Sequence, residues 1–506
     1  MPSFGNGIPG AFATEPPDPE RRAAALAITA GADRASPGAG TSPSPVEILR
    51  ARARAAYAQG DLDAAIEAQI AVLAAAAGTA TQADFLFAGL VHHAAHRPAD
   101  ALRALRLGIG RYPDSAVLHE NLAVLLLGTM DIAGAIEACQ HALVLGSGSP
   151  NVHDCLCDAY HRIGRFDLAV AAGRRALECK DRRFSTAASP AAKPETASPA
   201  PPLSQTLMSA TPIPPAMSVR PVRSAPIAAA PHLPTPMPLP LAPPLLLAPP
   251  LPLALPLPLA LPTPAASTPM PAIRIPASLP PPFNPGHPEQ NVIAYSLWGN
   301  QPRYQVPLLE NARIRPHLFP EWSIRVYHDA SVEPGYLAQL AGLGVQLQPM
   351  ALPPMVPGHR ALLWRFEVIA EPGVRRFLIR DADSLLTVKE RVAVDAWLRS
   401  SFHFHAMRDW YTHTDLLLAG MWGGVGGILP PPATLLHAFM PWRLETGHVD
   451  QDLLAATVWP AVRHNILIHD SIFHPCLGSV AFPPFGALPV GHHIGQNAFL
   501  HFTRTG

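Results

Sequence analysis

Hydrophobic and polar positions change rhythm twice along the chain. From residue 46 to 180, alanine and leucine recur at helical spacing with almost no proline, which predicts a run of helices. From 181 to 288, proline recurs every few residues and neither a helical nor a strand period survives. From 289 to 506, short apolar runs bounded by turn residues return. "NVIAYSLWG" (291–299), "WSIRVYHDA" (322–330), "GVQLQPM" (344–350) and "RRFLIRDADS" (375–384) predict strands. "PRYQVPLLENARIRPHLF" (302–319) and "RALLWRFEVIA" (360–370) predict helices between them, and "TVKERVAVDAWL" (387–398) predicts another after the fourth strand. Strands alternating with helices imply an α/β domain with a largely parallel sheet, whose ligands gather beyond the carboxyl ends of the strands.

The first zone superimposes on itself. "GDLDAAIEA" (60–68), "RPADALRAL" (97–105), "DIAGAIEAC" (131–139) and "GRFDLAVAA" (164–172) align, with Ala65, Ala101, Ala135 and Ala169 spaced by 36, 34 and 34 residues. Small residues follow seven positions later, at Gly108, Ala142 and Ala176. Antiparallel helices need small side chains where they cross, and one such pair cannot bury its apolar face alone. The zone resembles the tetratricopeptide repeat in about four copies, the first the most degenerate. The resemblance implies an all-α solenoid with a concave groove for a peptide or protein partner. Cys155 and Cys157 fall in the first helix of the last copy, where their spacing suits buried small residues rather than a metal site.

In the middle zone "PLPLAPPLLLAPPLPLALPLPLALP" spans 238–262. It is apolar and uncharged, but proline at that density costs about 3 kcal/mol per residue in a helix interior, which excludes a membrane helix. A disordered, polyproline-like linker from 181 to 288 is expected, whose leucines could also dock a proline-recognising partner. Lysine plus arginine and aspartate plus glutamate balance at 37 each, so composition offers no footprint for nucleic acid or an anionic membrane. Five cysteines, Cys139, Cys155, Cys157, Cys179 and Cys476, make no plausible disulfide framework and suit a reduced, cytoplasmic setting. Residues 1–45 lack a basic segment followed by an apolar run and read as a disordered lead rather than a signal peptide.

Candidate chemistry centres on the end of the fourth strand. Side chains at i and i+2 of an extended segment point the same way, so Asp381 and Asp383 aim together past the sheet. Two adjacent carboxylates repel unless a cation sits beside them, and Mg²⁺ or Mn²⁺ with its preference for oxygen is the natural occupant. The alternative is a turn pair preceding the next helix.

With these residues in place, "RALLWRFEVIAEPGVRRFLIRDADSLL" (360–386) resembles the core of nucleotide-sugar-dependent glycosyltransferases of the GT-A type, a Rossmann-like fold. "FHFHAMRDWYTHTDLLLAGMWGGVGG" (402–427) resembles the segment that shapes their sugar and acceptor pocket, and "GHVDQDLLAATVWP" (447–460) their D-Q-D helix. The likeness covers residues 289–506. "EPGVRR" stands where many members carry a Gly-Gly turn. The resemblance implies a metal held by Asp381 and Asp383, with His469 either an additional ligand or a structural histidine. It implies a diphosphate met by Arg365, which otherwise pairs with Asp381 or forms a surface ion pair, and by Arg380, which could equally be structural. It places the nucleoside near Tyr295, Leu297, Trp298 and Gly299, with Trp298 either stacking on the base or packing the core. It places the sugar against Gly420, Trp422 and Gly423, or else makes that run a buried turn. Asp450, Asp452 and Asp409 are then the candidate catalytic carboxylates.

The expected protein is a metal-dependent glycosyltransferase. It moves a sugar from a nucleotide-sugar donor to a hydroxyl on a glycan, a lipid-linked or a protein acceptor, with the repeats, on a flexible tether, recruiting acceptor or partner. Two rivals remain at this level: a non-catalytic repeat scaffold with a degenerate binding domain, and a phosphoryl or nucleotidyl transferase. The second lacks a G-x-x-x-x-G-K-[ST] loop.

Overall fold

The computed structural model describes residues 43–186, 272–351, 358–439, 449–485 and 492–498. The predicted lead up to residue 42 and the linker from 187 to 271 lie outside the described residues.

The repeat zone folds as four helix pairs: α1 (Pro45–Gln59) with α2 (Leu62–Ala75), α3 (Gln82–Ala94) with α4 (Pro98–Arg111), α5 (Ala116–Gly128) with α6 (Ile132–Val144), and α7 (Pro150–Arg162) with α8 (Phe166–Thr186). The aligned segments are the second helix of each pair. Ala65, Ala101, Ala135 and Ala169 are all fully buried, as helix crossings require. At Gly108 an added Cβ would lie 2.7 Å from the Phe85 side chain, so only glycine lets α4 approach α3 there. Polar residues start the helices: Ser44 and Glu47 close a capping box on α1, Thr81 and Asp84 another on α3, and Asp61 and Asp131 cap α2 and α6. Cys155 and Cys157 are buried inside α7.

The second zone is one seven-stranded sheet. Its strands are β1 (Asn291–Leu297), β2 (Ser323–His328), β3 (Gln346–Pro349), β4 (Arg376–Arg380), β5 (Phe404–Arg408), β6 (Met421–Val425) and β7 (Ile466–Asp470), in the order β3-β2-β1-β4-β6-β5-β7. All neighbours run parallel except at β6, which is antiparallel to both β4 and β5. Every residue of β1 is buried, as expected of a central parallel strand covered on both faces. Val292 and Ala294 face one apolar core with Phe377, Ile379 and Trp422. Ile293, Tyr295 and Leu297 face the other, with Leu308 of α9 (Pro302–Leu318) and Trp397.

Three expectations change. The segment expected as a helix at 360–370 is wound as a 3-10 run, Gly358–Ile369. Ser296 of β1 ties it to the sheet, its Oγ donating to Leu362 O (3.2 Å) and accepting from the Arg365 amide (2.9 Å), and residues from Ala361 to Ile369 pack both inward and sideways, too many directions for one amphipathic α-face. The glycine run 420–424, expected to border a sugar, instead leads into the interior strand β6. The ends of the expected linker are structured: α8 continues to Thr186, and residues 281–284 brace the sheet through Pro281 O, which accepts from Arg376, and Phe283, stacked 5.8 Å from Trp322.

The largest change concerns the tether. The last repeat is packed on the sheet domain, and the two share one apolar core. Lys180 Nζ lies 3.0 Å from Asp154 and 2.8 Å from Asp415, and donates to Thr414 O. Asp181 accepts from Trp459 Nε1 (2.7 Å) and pairs with Arg463 (2.8 Å). Phe473 lies so close over Gly173 that a Cβ there would sit 2.2 Å from its ring, and Arg174 donates to Phe473 O. Repeat helices of alanine, lysine and aspartate thus meet aromatic and charged loops after β5 and β7, a match that neither segment shows alone.

Candidate active site at the strand ends

In an open parallel sheet, a crevice forms where neighbouring strands connect in opposite directions. Here that point lies between β1, whose chain proceeds toward β2 and β3, and β4, whose chain proceeds the other way. Beyond β1 come Trp298, Gly299 and Asn300; beyond β4 come Asp381, Ala382 and Asp383. Topology therefore brings together the two segments that sequence reasoning had singled out separately.

Asp381 is the more open carboxylate, with its side chain 39% exposed, while Asp383 is 14% exposed. Each meets an arginine. Arg365 donates to Asp381, to Arg380 O (3.0 Å) and to Asp450 Oδ2 (2.8 Å). Its burial opposes the charged form, but Asp381 and Asp450 outweigh that and hold its pKa above the usual value. Asp383 accepts from Arg303 Nε (3.1 Å) and Nη2 (2.8 Å), both on the same oxygen. Burial, then the Asp381 charge, push the Asp383 carboxyl above its ordinary pKa, with Arg303 pulling against them. The loop carrying the pair is pinned by Asn311, which donates to Ser384 O (2.7 Å) and accepts from Leu386 N, and by Ala498, whose amide donates to Asp383 O (2.7 Å).

Trp298 is half-buried at the rim, stacked on Tyr304 with centroids 6.4 Å apart and edge-on to Trp364 at 6.4 Å. It is the one aromatic of the expected nucleoside group that reaches the crevice. Gly299 adopts φ +66°, and its amide donates to Ser331 Oγ (2.7 Å). Only glycine takes that turn without cost.

Other expected site residues are corrected. Tyr295 and Leu297 point into the core beneath β1; burial raises the Tyr295 hydroxyl pKa, and that hydroxyl finds no hydrogen-bond partner among the described residues. Arg380 forms a buried ion pair with Glu390 (2.6 Å) and donates to Trp422 O, so it braces the sheet instead of facing a diphosphate. Trp422 is fully buried between Phe366 and Phe377 and offers no platform to a ring. Gly423 is glycine because a Cβ would fall 2.5 Å from Phe377 O of β4. Gly420 does border the site, but its role is toward protein: a Cβ would lie 1.9 Å from Asp381 Oδ2.

His469 is separated from the carboxylate pair by β6 and β5. At three strand spacings of about 4.8 Å it sits about 14 Å away along the sheet. It is buried against His405, with 2.9 Å between His469 Nδ1 and His405 Nε2, and burial lowers its pKa to about 4. An apolar strand ending in histidine served packing, not coordination. Asp409 is also buried, paired with Lys389 and Ser471 and accepting from Ile494 N (2.8 Å). Asp450 and Asp452 lie on α13 (Val449–Leu453), which follows α10 (Pro334–Gly342), α11 (Val388–Leu398) and α12 (Pro432–Phe439). Asp450 is held by Arg365, and Asp452 is half-buried.

Sequence reasoning missed Arg303 and Tyr304. Their signal was positional: they occupy the first turn of the helix that follows the strand at the switch point, beside "WGN". Among the described residues no group of three or more His, Cys, Asp or Glu side chains converges as a metal-ligand set.

No family model matches the chain, and no curated protein does. Among solved structures, a crystal structure of MamA protein is 23% identical over 28% of this chain and 78% of that one, with a TM-score of 0.25. The structure titled MamA MSR-1 C2 is 19% identical over 32% and 94%, at TM-score 0.25. A mutant of the Thermobaculum terrenum O-GlcNAc transferase is 16% identical over 66% of this chain and 45% of that one, at TM-score 0.31. Scores this low carry no argument, and the class of the molecule rests on its own elements. It is a tetratricopeptide-like helical array joined to an α/β domain with a mixed seven-stranded sheet.

Proposed function

We propose that the α/β domain is a GT-A-like glycosyltransferase that binds a nucleotide-sugar in the β1/β4 crevice and transfers its sugar to a hydroxyl acceptor. The observation that carries this reading is that Asp381 and Asp383 share the turn after β4 at the switch point, near enough that the charge of Asp381 bears on Asp383, beside an arginine that is itself locked by Asp450. Trp298 supplies a half-buried aromatic face at the β1 side, where a base would stack. The two carboxylates fit a hard divalent cation: burial, then the Asp381 charge, raise the Asp383 carboxyl above its ordinary pKa against the pull of Arg303, and Gly420 leaves the Asp381 carboxylate space that a Cβ there would take. Asp381 and Asp383 would hold Mn²⁺ or Mg²⁺, which when bound offsets charge on the departing diphosphate.

The remaining work falls to the chain. Arg365 orients Asp381 and is itself held by Asp450, which makes Asp450 a positioning residue. Asp409 is similarly committed to Lys389. This reading assigns Asp452, half-buried on α13, to receive the proton of an acceptor hydroxyl. The last repeat abuts the loop after β5, so an acceptor held by the repeats, whether glycan, lipid-linked or protein, arrives at the same rim. No helix of the described residues is long and apolar enough to cross a membrane. A reduced, cytoplasmic setting, which the five free cysteines suit, is part of this reading.

The test is turnover of a nucleotide-sugar panel with Mn²⁺ by the full chain and by Asp383→Ala. The expected loss is at least about 100-fold, the scale of one removed electrostatic contact at a transition state. Equal turnover by the two proteins rejects the site.

A further inference from the structure

Two arginines face the carboxylate pair, and they are held in different ways. Arg365 is buried and fixed by three partners: Asp381, Asp450 and Arg380 O. Arg303 has a single acidic partner. Its Nε and Nη2 both reach Asp383 Oδ2, its side chain is 44% exposed, and its guanidinium lies 5.3 Å from the Tyr304 ring centroid. It rises from the first turn of α9, directly after the Trp298–Asn300 turn, so it stands on the β1 side of the crevice and leans across to the β4 side. Fork geometry on one carboxylate would use both oxygens; Arg303 uses one.

From this asymmetry we infer that Arg303 is an exchangeable counterion. In the empty crevice it neutralises Asp383, and when a divalent cation takes the carboxylates it transfers to the diphosphate of the donor. This rests on the carboxylate site proposed above. Arg303 and Arg365 set two positive charges against the three carboxylates Asp381, Asp383 and Asp450; a doubly charged ion on the pair would turn that deficit of one into an excess of one, so the cation displaces the exposed Arg303 instead of joining it. The released guanidinium remains anchored at the crevice edge, half in water and backed by Tyr304, with donors whose planar fork matches two phosphate oxygens. The same residue therefore opposes the metal when it comes alone and favours it when it comes with the diphosphate. The two ligands become coupled, each raising the affinity for the other. An unproductive metal-loaded site is thereby disfavoured until the donor is present.

The experiment uses the full chain and three proteins: wild type, Arg303→Gln and Arg303→Lys. Calorimetry measures Mn²⁺ alone, then UDP and GDP at saturating Mn²⁺. Arg303→Gln is expected to bind Mn²⁺ alone about 5- to 10-fold more tightly, since a partly exposed ion pair no longer competes, and to bind the diphosphate at least about 10-fold more weakly. Arg303→Lys keeps the charge without the fork, so its Mn²⁺ affinity stays near wild type while diphosphate binding recovers only in part. If Arg303→Gln binds Mn²⁺ no better than wild type, Arg303 is a surface pair and the inference fails while the site stands. If wild type binds neither Mn²⁺ nor a diphosphate, the site itself fails and takes the inference with it.

Discussion

The two folded regions lean on charge differently. In the outer repeats ion pairs lie mostly in water: Arg97 and Asp63 are 2.9 Å apart with side chains 48% and 81% exposed, Arg50 with Asp84 is the more buried exception, and the stack is held by buried alanines at helix crossings. In the α/β domain several pairs are interior. Arg380 with Glu390 is 3% and 1% exposed, and Lys389 with Asp409 is 9% and 2% exposed. A repeat array needs only its neighbours and a surface that stays soluble. A domain that must present carboxylates at fixed positions on a sheet rim has to hold the strands and loops behind them. Buried pairs do so at a desolvation cost that water-facing pairs avoid.

The sharpest way to break this contrast is to truncate one partner on each side. Arg380→Met strands Glu390 in the core, and the expected destabilisation is about 3–5 kcal/mol, read by urea or thermal unfolding. Arg97→Ala in the repeats should stay within about 0.5 kcal/mol. Comparable losses would mean that the α/β pairs are not what holds the rim.

This difference also governs what the sequence disclosed. The repeats were legible because their information is local and periodic: aligned alanines fall at crossings in every copy. Strands β1 to β4 were legible for the same reason, each being a short apolar run, while β5 and β6 were not read as strands. Roles that depend on which strand lies next to which were not legible. Trp422 and Gly423 looked like a sugar-facing turn because glycines bracket a tryptophan, yet β6 inserts between β4 and β5, and glycine there admits the Phe377 carbonyl. His469 ends an apolar run as Asp381 does, but sheet order sets it strands away. Arg303 carried no local mark, and only the fold shows it reaching across to Asp383.

Acid supplies a second, smaller test. Burial lowers His469 to about 4 and His413 to about 3, and His405 also falls well below the ordinary value. The unfolded chain, near 6.5, takes up protons that the folded chain refuses, so stability is complete above about pH 6.5 and declines as pH falls toward 4. For His469 alone the loss across that window is about 3 kcal/mol. In the repeats, His92 and His119 shift in the same direction, but both are only half-buried. Amide exchange between pH 7 and 5 should therefore accelerate first in β5 and β7, and later in α3 and α5, which carry His92 and His119. Uniform acceleration would erase the distinction.

The smallest effect belongs to the boundary between the regions, where the contrast blurs. Lys180 sits on a repeat helix, yet its ammonium serves Asp154 of the repeat, Asp415 of the sheet domain and Thr414 O. Its pKa ends above the usual value because the two aspartates outweigh the burial that opposes its charge. Lys180→Met keeps the stem and removes the charge. Asp415 is 37% exposed and can turn to water, so the expected cost is about 1–3 kcal/mol, less than at Arg380. The neighbouring contacts survive, with Asp181 still bonded to Trp459 and Phe473 still seated on Gly173. The melt should therefore shift down and remain a single transition for the last repeat together with the sheet. If α7 and α8 instead unfold ahead of the sheet, the last repeat is a guest on the α/β domain; if they unfold with it, that repeat is part of the domain.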